Sequence, residues 1–154
     1  KGRLFRLYKF RTMVHGADNL LPALLQEPTL KREWHIFRKL KQDPRVTGIG
    51  KFLRKTSLDE LPQFWNILIG DLTVVGPRPL SQDEITYYVQ NKAAKILSVK
   101  PGLTGLWQAE GRNTLSMHER LVMDEKYIDT RSLRLDLKLI GKTIIQLFFS
   151  KGAY

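Results

Sequence analysis

Two adjacent carboxylates, Asp59 and Glu60, stand in the stretch Thr56-Ser57-Leu58-Asp59-Glu60-Leu61-Pro62-Gln63. Lys51, Arg54 and Lys55 crowd the residues before them. A pair of ionised carboxylates set among cations is suited to work on a charged substrate. Helix capping is the competing reading. Ser57 with Glu60 three residues on has the spacing of a capping box, which only satisfies the free amides of a helix start. Pro62 fits better in a first turn that begins at Asp59, where no amide is needed. In either case both carboxylates are expected at the positive end of a helix dipole, which favours their ionised forms. Leu61, Phe64, Trp65 and Leu68 then follow at the spacing of a core-facing helix.

Charge gives the pair a context. The chain has 154 residues and a net charge of +11, with 26 Lys+Arg against 15 Asp+Glu. Fourteen of those cations and only four of the acids precede Asp59, so nearly all the excess lies upstream of the pair. Such a patch points to an anionic partner: nucleic acid, lipid headgroups or a phosphorylated substrate. Nucleic acid is disfavoured. No helix-turn-helix, RNA-recognition or zinc-binding signature occurs, and a carboxylate pair beside the patch would repel a phosphate backbone. With no cysteine, disulfides and thiolate metal sites are excluded. No apolar run reaches the roughly 18 residues of a membrane span.

The elements that must position the pair are mostly helical. Residues 1–13 alternate basic with apolar or aromatic side chains and read as a strand or hairpin arm with a cationic face. Residues 17–41 read as helix broken near Pro28, with Thr29 capping a second, basic segment that bears Trp34. That segment is suited either to an anionic membrane surface or to packing on the core. Asp43-Pro44 is a turn, and 46–56 a short basic helix whose Gly-Lys spacing is not that of a Walker A loop. The Asp59 helix should end at Gly70. Leu72-Thr73-Val74-Val75 reads as a strand running into Gly76-Pro77-Arg78-Pro79, where two prolines hold one arginine in a rigid loop. Ser81 or Asp83 can cap a helix through about Ile96. Lys100-Pro101-Gly102 is a turn, 103–108 a Gly-interrupted strand, and Gly111-Arg112-Asn113 a turn that offers a further phosphate-binding cation. Helices are expected over 115–130 and 132–149, the last with a wide apolar surface. Asp124 and Asp129 are not at helical i, i+4 spacing, so that helix alone offers no metal pair. His15, His35 and His118 read as structural. The expected fold is α+β and predominantly helical, with short strands or hairpins around a compact catalytic core in a single domain, 1–154.

Four motifs in order carry a resemblance. They are Lys9-Phe10-Arg11-Thr12-Met13; Asp43-Pro44-Arg45 through the Asp59-Glu60 stretch; Gly76-Pro77-Arg78-Pro79-Leu80; and Lys100-Pro101-Gly102-Leu103-Thr104-Gly105-Leu106-Trp107-Gln108. From about Gly2 to Tyr154 the chain resembles the bacterial sugar transferases, the polyprenyl-phosphate hexose-1-phosphate or monotopic phosphoglycosyl transferases. The closing Lys151-Gly152-Ala153-Tyr154 is similar to the end of the larger members that load galactose or glucose phosphate onto undecaprenyl phosphate.

The resemblance implies transfer of a sugar-1-phosphate from a UDP-sugar to a polyprenyl phosphate, with release of UMP and a requirement for Mg²⁺. It makes Asp59 the nucleophile and a metal contact, and Glu60 its partner. It assigns substrate or phosphate binding to Lys9, Arg11, Arg54, Arg78, Pro101 and Asp136. It implies the cytoplasmic face of a bacterial inner membrane and a part in building surface polysaccharide; a homo-oligomer is compatible with the sequence. The family's re-entrant membrane helix precedes the Lys-Phe-Arg motif and is not within this sequence. The chemistry is sound from below. A diphosphate donor and a phosphate acceptor bring heavy negative charge together, and a carboxylate reaches phosphorus only where cations screen that charge.

Overall fold

The computed structural model describes residues 2–86, 93–110 and 115–149. The Arg112 turn, the closing residues 151–154 and the middle of the helix expected over 81–96 lie outside them. The elements run α1 (Ala17–Leu24), α2 (Pro28–Phe37), α3 (Gly48–Thr56), a 3-10 turn (Leu58–Glu60), α4 (Gln63–Leu68), β1 (Thr73–Val75), α5 (Gln82–Glu84), α6 (Ala93–Ile96), β2 (Gly102–Thr104), α7 (Leu106–Glu110), α8 (Met117–Thr130) and α9 (Leu133–Phe149). The expected helical α+β class is what the chain adopts.

The sheet is small and parallel. Thr73 pairs with Gly102 and Val75 with Thr104. Gly76 and Gly102 bring the backbones together so closely that a Cβ on Gly102 would stand 2.1 Å from the Gly76 nitrogen. Val75 carries this ribbon into a core with Leu106, Ala109, Tyr127 and Leu139, drawn from α7, α8 and α9. A second cluster, Ile96, Met117 and Leu121, joins α6 to α8. Ser81 and Ser116 each start a helix with a complete capping box, to Glu84 and Glu119.

Several expectations change. Residues 2–12 form no strand; they run extended as a strap whose bonds go to side chains and turns, ending in an isolated antiparallel bridge from Met13 to Val46. Residues after Gly105 coil into α7 instead of continuing a strand. Glu27, not Thr29, caps α2, accepting from the Thr29 and Leu30 amides. Pro28 takes the first helical position, which leaves the cap to the residue before it.

The largest change concerns α4. The apolar positions that predicted a core-facing helix point outward, with Trp65 57% and Leu68 78% exposed, while Gln63 and Asn66 are buried. Ile49 and Phe52 of α3, with Leu61, Phe64 and Ile69, extend the same outward apolar surface. The inward face is used to bind backbone. Asn66 is 0% exposed; its Oδ1 accepts from the Tyr8 amide at 3.0 Å and its Nδ2 donates to the Arg6 carbonyl at 2.7 Å. An unpaired strap needs such partners, because its backbone groups have no ladder to satisfy them.

Candidate active site

The carboxylate pair is presented by a reversal of the chain, not by a helix N-terminus. Ser57 takes the left-handed conformation, φ 57°, as the C-cap of α3, and its amide closes onto the Arg54 and Leu53 carbonyls. The capping box expected from Ser57 and Glu60 therefore does not form. A helix end must satisfy its last carbonyls, and a left-handed residue does so while turning the chain sharply. Asp59 and Glu60 fall in the 3-10 turn that follows, and Pro62 caps α4.

Their charge is met by Lys9. Its Nζ lies 3.1 Å from Asp59 Oδ2 and 3.0 Å from Glu60 Oε1, so one ammonium bridges both carboxylates. The Phe10 amide donates to the Asp59 carbonyl at 2.9 Å, which locks the strap against the turn. Asp59 is only 3% exposed, and a carboxylate so buried requires a partner. Glu60 stays half-buried at the surface.

The strap is fastened further along. Arg54 Nε donates to Thr12 Oγ1 at 2.9 Å. Thr47 donates its amide to the Thr12 carbonyl at 3.0 Å and caps α3 through Gly50. Gly50 sits so near the strap that a Cβ there would be 1.9 Å from the Thr12 oxygen. Arg11 contacts His15 Nδ1 at 3.1 Å. Arg45, named in the sequence only within the Asp43-Pro44-Arg45 motif, is buried. It pairs with Asp43 at 2.7 Å, lies 5.5 Å over the Trp34 ring, and its carbonyl accepts from Val14. Trp34 thus meets two guanidinium groups, Arg45 and Arg38, the latter 5.1 Å from the ring centroid.

Arg78 and Pro101 line a cavity of about 420 Å³ between strap residues 2–7 and the Pro-Arg-Pro loop. Leu7, two residues before Lys9 in the chain, lines it too. Arg78 is aimed by Glu84, whose Oε1 accepts from Nη1 at 3.0 Å. Burial raises the Glu84 carboxyl, but the Arg78 guanidinium and the Ser81 amide outweigh this and hold it below the usual range.

Asp136 is bonded elsewhere. Its Oδ1 accepts from Tyr127 Oη at 2.8 Å, and Tyr127 also reaches the Val75 carbonyl. Burial and the Asp136 carboxylate push the Tyr127 hydroxyl pKa well up. Asn66, Glu84 and Asp124 were not singled out as site residues in the sequence. Asn66 falls just after Phe64-Trp65, whose pattern drew attention to the wrong face.

The residues fit a magnesium ion. Mg²⁺ takes one or two carboxylates and completes its shell with substrate phosphate and water, and Asp59 with Glu60 already converge on a single cation, Lys9 Nζ. No cluster of three or more His, Asp or Glu suited to a metal occurs among the described residues.

A helical α+β domain with a lysine-bridged carboxylate pair has the makings of a group-transfer enzyme. The chain belongs to the bacterial sugar transferase family, whose model matches residues 1–150. It is 46% identical over 154 residues to the exopolysaccharide production protein ExoY of Rhizobium meliloti (strain 1021), covering 99% of this chain and 68% of that protein. It is 44% identical over 154 residues to the undecaprenyl-phosphate galactose phosphotransferase of Salmonella typhimurium, of which it spans 32%. The UDP-glucose:undecaprenyl-phosphate glucose-1-phosphate transferase of Klebsiella pneumoniae is 38% identical over 160 residues, and the chain spans 31% of it.

Proposed function

We propose that this chain moves a sugar-1-phosphate from a UDP-sugar to undecaprenyl phosphate, the first step in assembling a surface polysaccharide. The relatives' names support the substrate class. The observation that carries the catalytic roles is the single ammonium of Lys9 bridging Asp59 and Glu60.

An Asp59 carboxylate oxygen attacks the phosphorus that bears the sugar. The bond from that phosphorus to the bridging oxygen breaks, and UMP leaves with the oxygen. A phosphate oxygen of the acceptor then attacks the phosphoaspartyl group, the bond to Asp59 breaks, and the lipid diphosphate sugar forms as the carboxylate is restored. Two displacements mean that donor and acceptor need not share the site. Lys9 offsets the charge of Asp59 and aims its carboxylate. Glu60 shares that ammonium and orients it. Arg78, Arg54 and Arg11 neutralise phosphate charge, with guanidinium geometry matched to paired phosphate oxygens. Mg²⁺, held by Asp59 with Glu60 beside it, would neutralise charge on the donor diphosphate.

The acceptor is a lipid, and the outward apolar side chains of α3 and α4 give the chain a face for an anionic membrane surface. They adjoin the cations Lys51 and Lys55. The Trp34 segment suits this role less, because its ring already contacts two arginines. No described helix is long and apolar enough to cross a membrane.

The test is UMP release from several UDP-sugars in lipid discs containing undecaprenyl phosphate and Mg²⁺, using protein with its native upstream segment. Asp59→Asn should abolish turnover and prevent phosphosugar labelling of the protein. Near-normal turnover in that variant would remove Asp59 as nucleophile.

A further inference from the structure

Arg54 stands in the last turn of α3, five residues before Asp59, and is fixed at both ends. Its backbone carbonyl accepts from the Ser57 amide at 3.2 Å, in the reversal that presents the carboxylate pair. Its side chain is met from the strap. Nε donates to Thr12 Oγ1 at 2.9 Å, across 42 residues of sequence. Thr12 is 6% exposed and is immobilised through its own backbone. Its carbonyl accepts from the Thr47 amide at 3.0 Å and from the Thr47 hydroxyl at 3.3 Å.

One residue therefore does two things. The Thr12 carbonyl fastens the strap to the start of α3, where Thr47 is the N-cap. The Thr12 hydroxyl reaches the last turn of the same helix and meets one N–H of a guanidinium. A guanidinium carries five N–H groups in a single plane. Fixing Nε holds that plane and occupies the side-on fork, which needs Nε together with a terminal nitrogen. The end-on fork of Nη1 and Nη2 is left, and its spacing matches two oxygens of one phosphate. Among the described residues no carboxylate stands within ion-pair distance of Arg54, so that fork is not spent on an internal acid.

We propose that Thr12 is a positioning residue for Arg54, holding its guanidinium so that the two terminal nitrogens take a substrate phosphate end-on. The inference rests on the reading of Arg54 as a group that neutralises phosphate charge, and it adds the residue that aims it. Thr12 acts through Arg54, so its hydroxyl matters to phosphate binding only while Arg54 is present.

A double-mutant cycle tests this on full-length protein in lipid discs. Calorimetry gives the Kd of UDP with Mg²⁺, which reports the donor phosphates, and of farnesyl phosphate, which reports an acceptor phosphate, with empty discs as the blank. Neither needs turnover. Thr12→Val replaces the hydroxyl with a methyl of nearly the same shape and leaves the carbonyl bonds to Thr47 in place. It should weaken one of the two ligands by roughly tenfold, the scale of one hydrogen bond to a charged group. Which ligand weakens tells whose phosphate Arg54 takes. Thr12→Ser keeps the oxygen and should restore most of the loss. In an Arg54→Ala background Thr12→Val should cost nothing further, whereas a hydroxyl that only braces the fold would cost the same in both backgrounds. Melts of every variant set a temperature at which all are folded. Equal losses from Thr12→Val in the two backgrounds would overturn the inference. So would a Thr12→Val protein that binds both ligands like the parent while Arg54→Ala does not. Unchanged binding of both ligands by Arg54→Ala would remove the reading of Arg54, and the inference with it. The expected cycle without UMP release from any UDP-sugar would instead overturn the proposed reaction alone.

Discussion

Lys9 Nζ stands 3.1 Å from Asp59 Oδ2 although fifty residues separate the two in sequence. The contact is made possible by the extended strap, which carries no sheet pairing of its own and is fixed by Asn66, Asp59 and Thr47. Removing the ammonium leaves a buried carboxylate without its counterion. Lys9→Met should lower kcat by about 100-fold or more, on the scale of losing one preorganised electrostatic group. Lys9→Arg should restore part of it. Turnover measured well below each variant's melting temperature distinguishes this from unfolding, since the buried Asp59 left without its counterion should itself lower the melt.

Asn66 supports the same strap from below. Asn66→Ala leaves the Tyr8 amide and the Arg6 carbonyl unpaired in a partly buried place. The expected loss is about 2–4 kcal/mol, from two orphaned backbone groups. Urea unfolding would read it, and a loss under about 0.5 kcal/mol would mean that the strap is held by its other contacts alone.

Two glycines should behave oppositely. A Cβ on Gly50 would overlap the Thr12 backbone, so Gly50→Ala must displace the strap or α3 and destabilise by about 2 kcal/mol or more. Gly141, inside α9, has open space where a Cβ would go, and Gly141→Ala should stabilise by up to about 1 kcal/mol through helix propensity. Thermal melts of the two variants give opposite signs if the close approach at Thr12 is real.

Asp124 makes stability depend on pH. Its carboxyl rises from 3.8 to about 7 on folding, so between those values the folded chain keeps a proton that the unfolded chain has lost. This contribution is fully present below pH about 4 and declines to its minimum above about 7, a span of at most about 4 kcal/mol. Asp124→Asn should flatten that part of the profile. Lys39 acts in a separate window. Burial and then Arg120 depress it to about 8, so its unfavourable charge is relieved only as pH rises from about 8 toward 10.5. Denaturant midpoints at pH 5, 7 and 9 for parent and variant check both signs.

The outward surface of α3 and α4 has its own test. Trp65→Ser with Leu68→Ser should reduce flotation with anionic vesicles by about tenfold, as expected for roughly 2 kcal/mol of lost apolar burial. The melting temperature should hold, because both side chains are largely exposed. Unchanged flotation would direct attention to Leu133 and Leu137 of α9, which are also exposed.

Much of the fold was legible because helix signals are local. The helices expected over 46–56 and 115–130 and the break near Pro28 each correspond to a real element or boundary. The carboxylate pair and Lys9 were legible as motifs, but their contact was not, since no periodicity relates a strap to a turn fifty residues away. Residues 61–68 failed for a different reason. Amphipathic spacing reports that a helix has two faces, not which medium each face meets, and here the polar Asn66 face is the buried one. Asp124 was weighed only as half of a metal pair with Asp129, because a carboxylate on a mixed helix otherwise reads as solvated. Only the packing of α7 against its helix removes the water.

The outward side chains of α3 and α4 flank the turn that carries Asp59, in one continuous segment. If that segment rests on a bilayer, it acts as a ruler: the attacking oxygen sits at one set height above the lipid plane. A long-chain acceptor could then be served with its tail still in the hydrocarbon, and only substrates whose phosphate reaches that height would react. Selectivity for the lipid partner would follow from elevation as much as from contact.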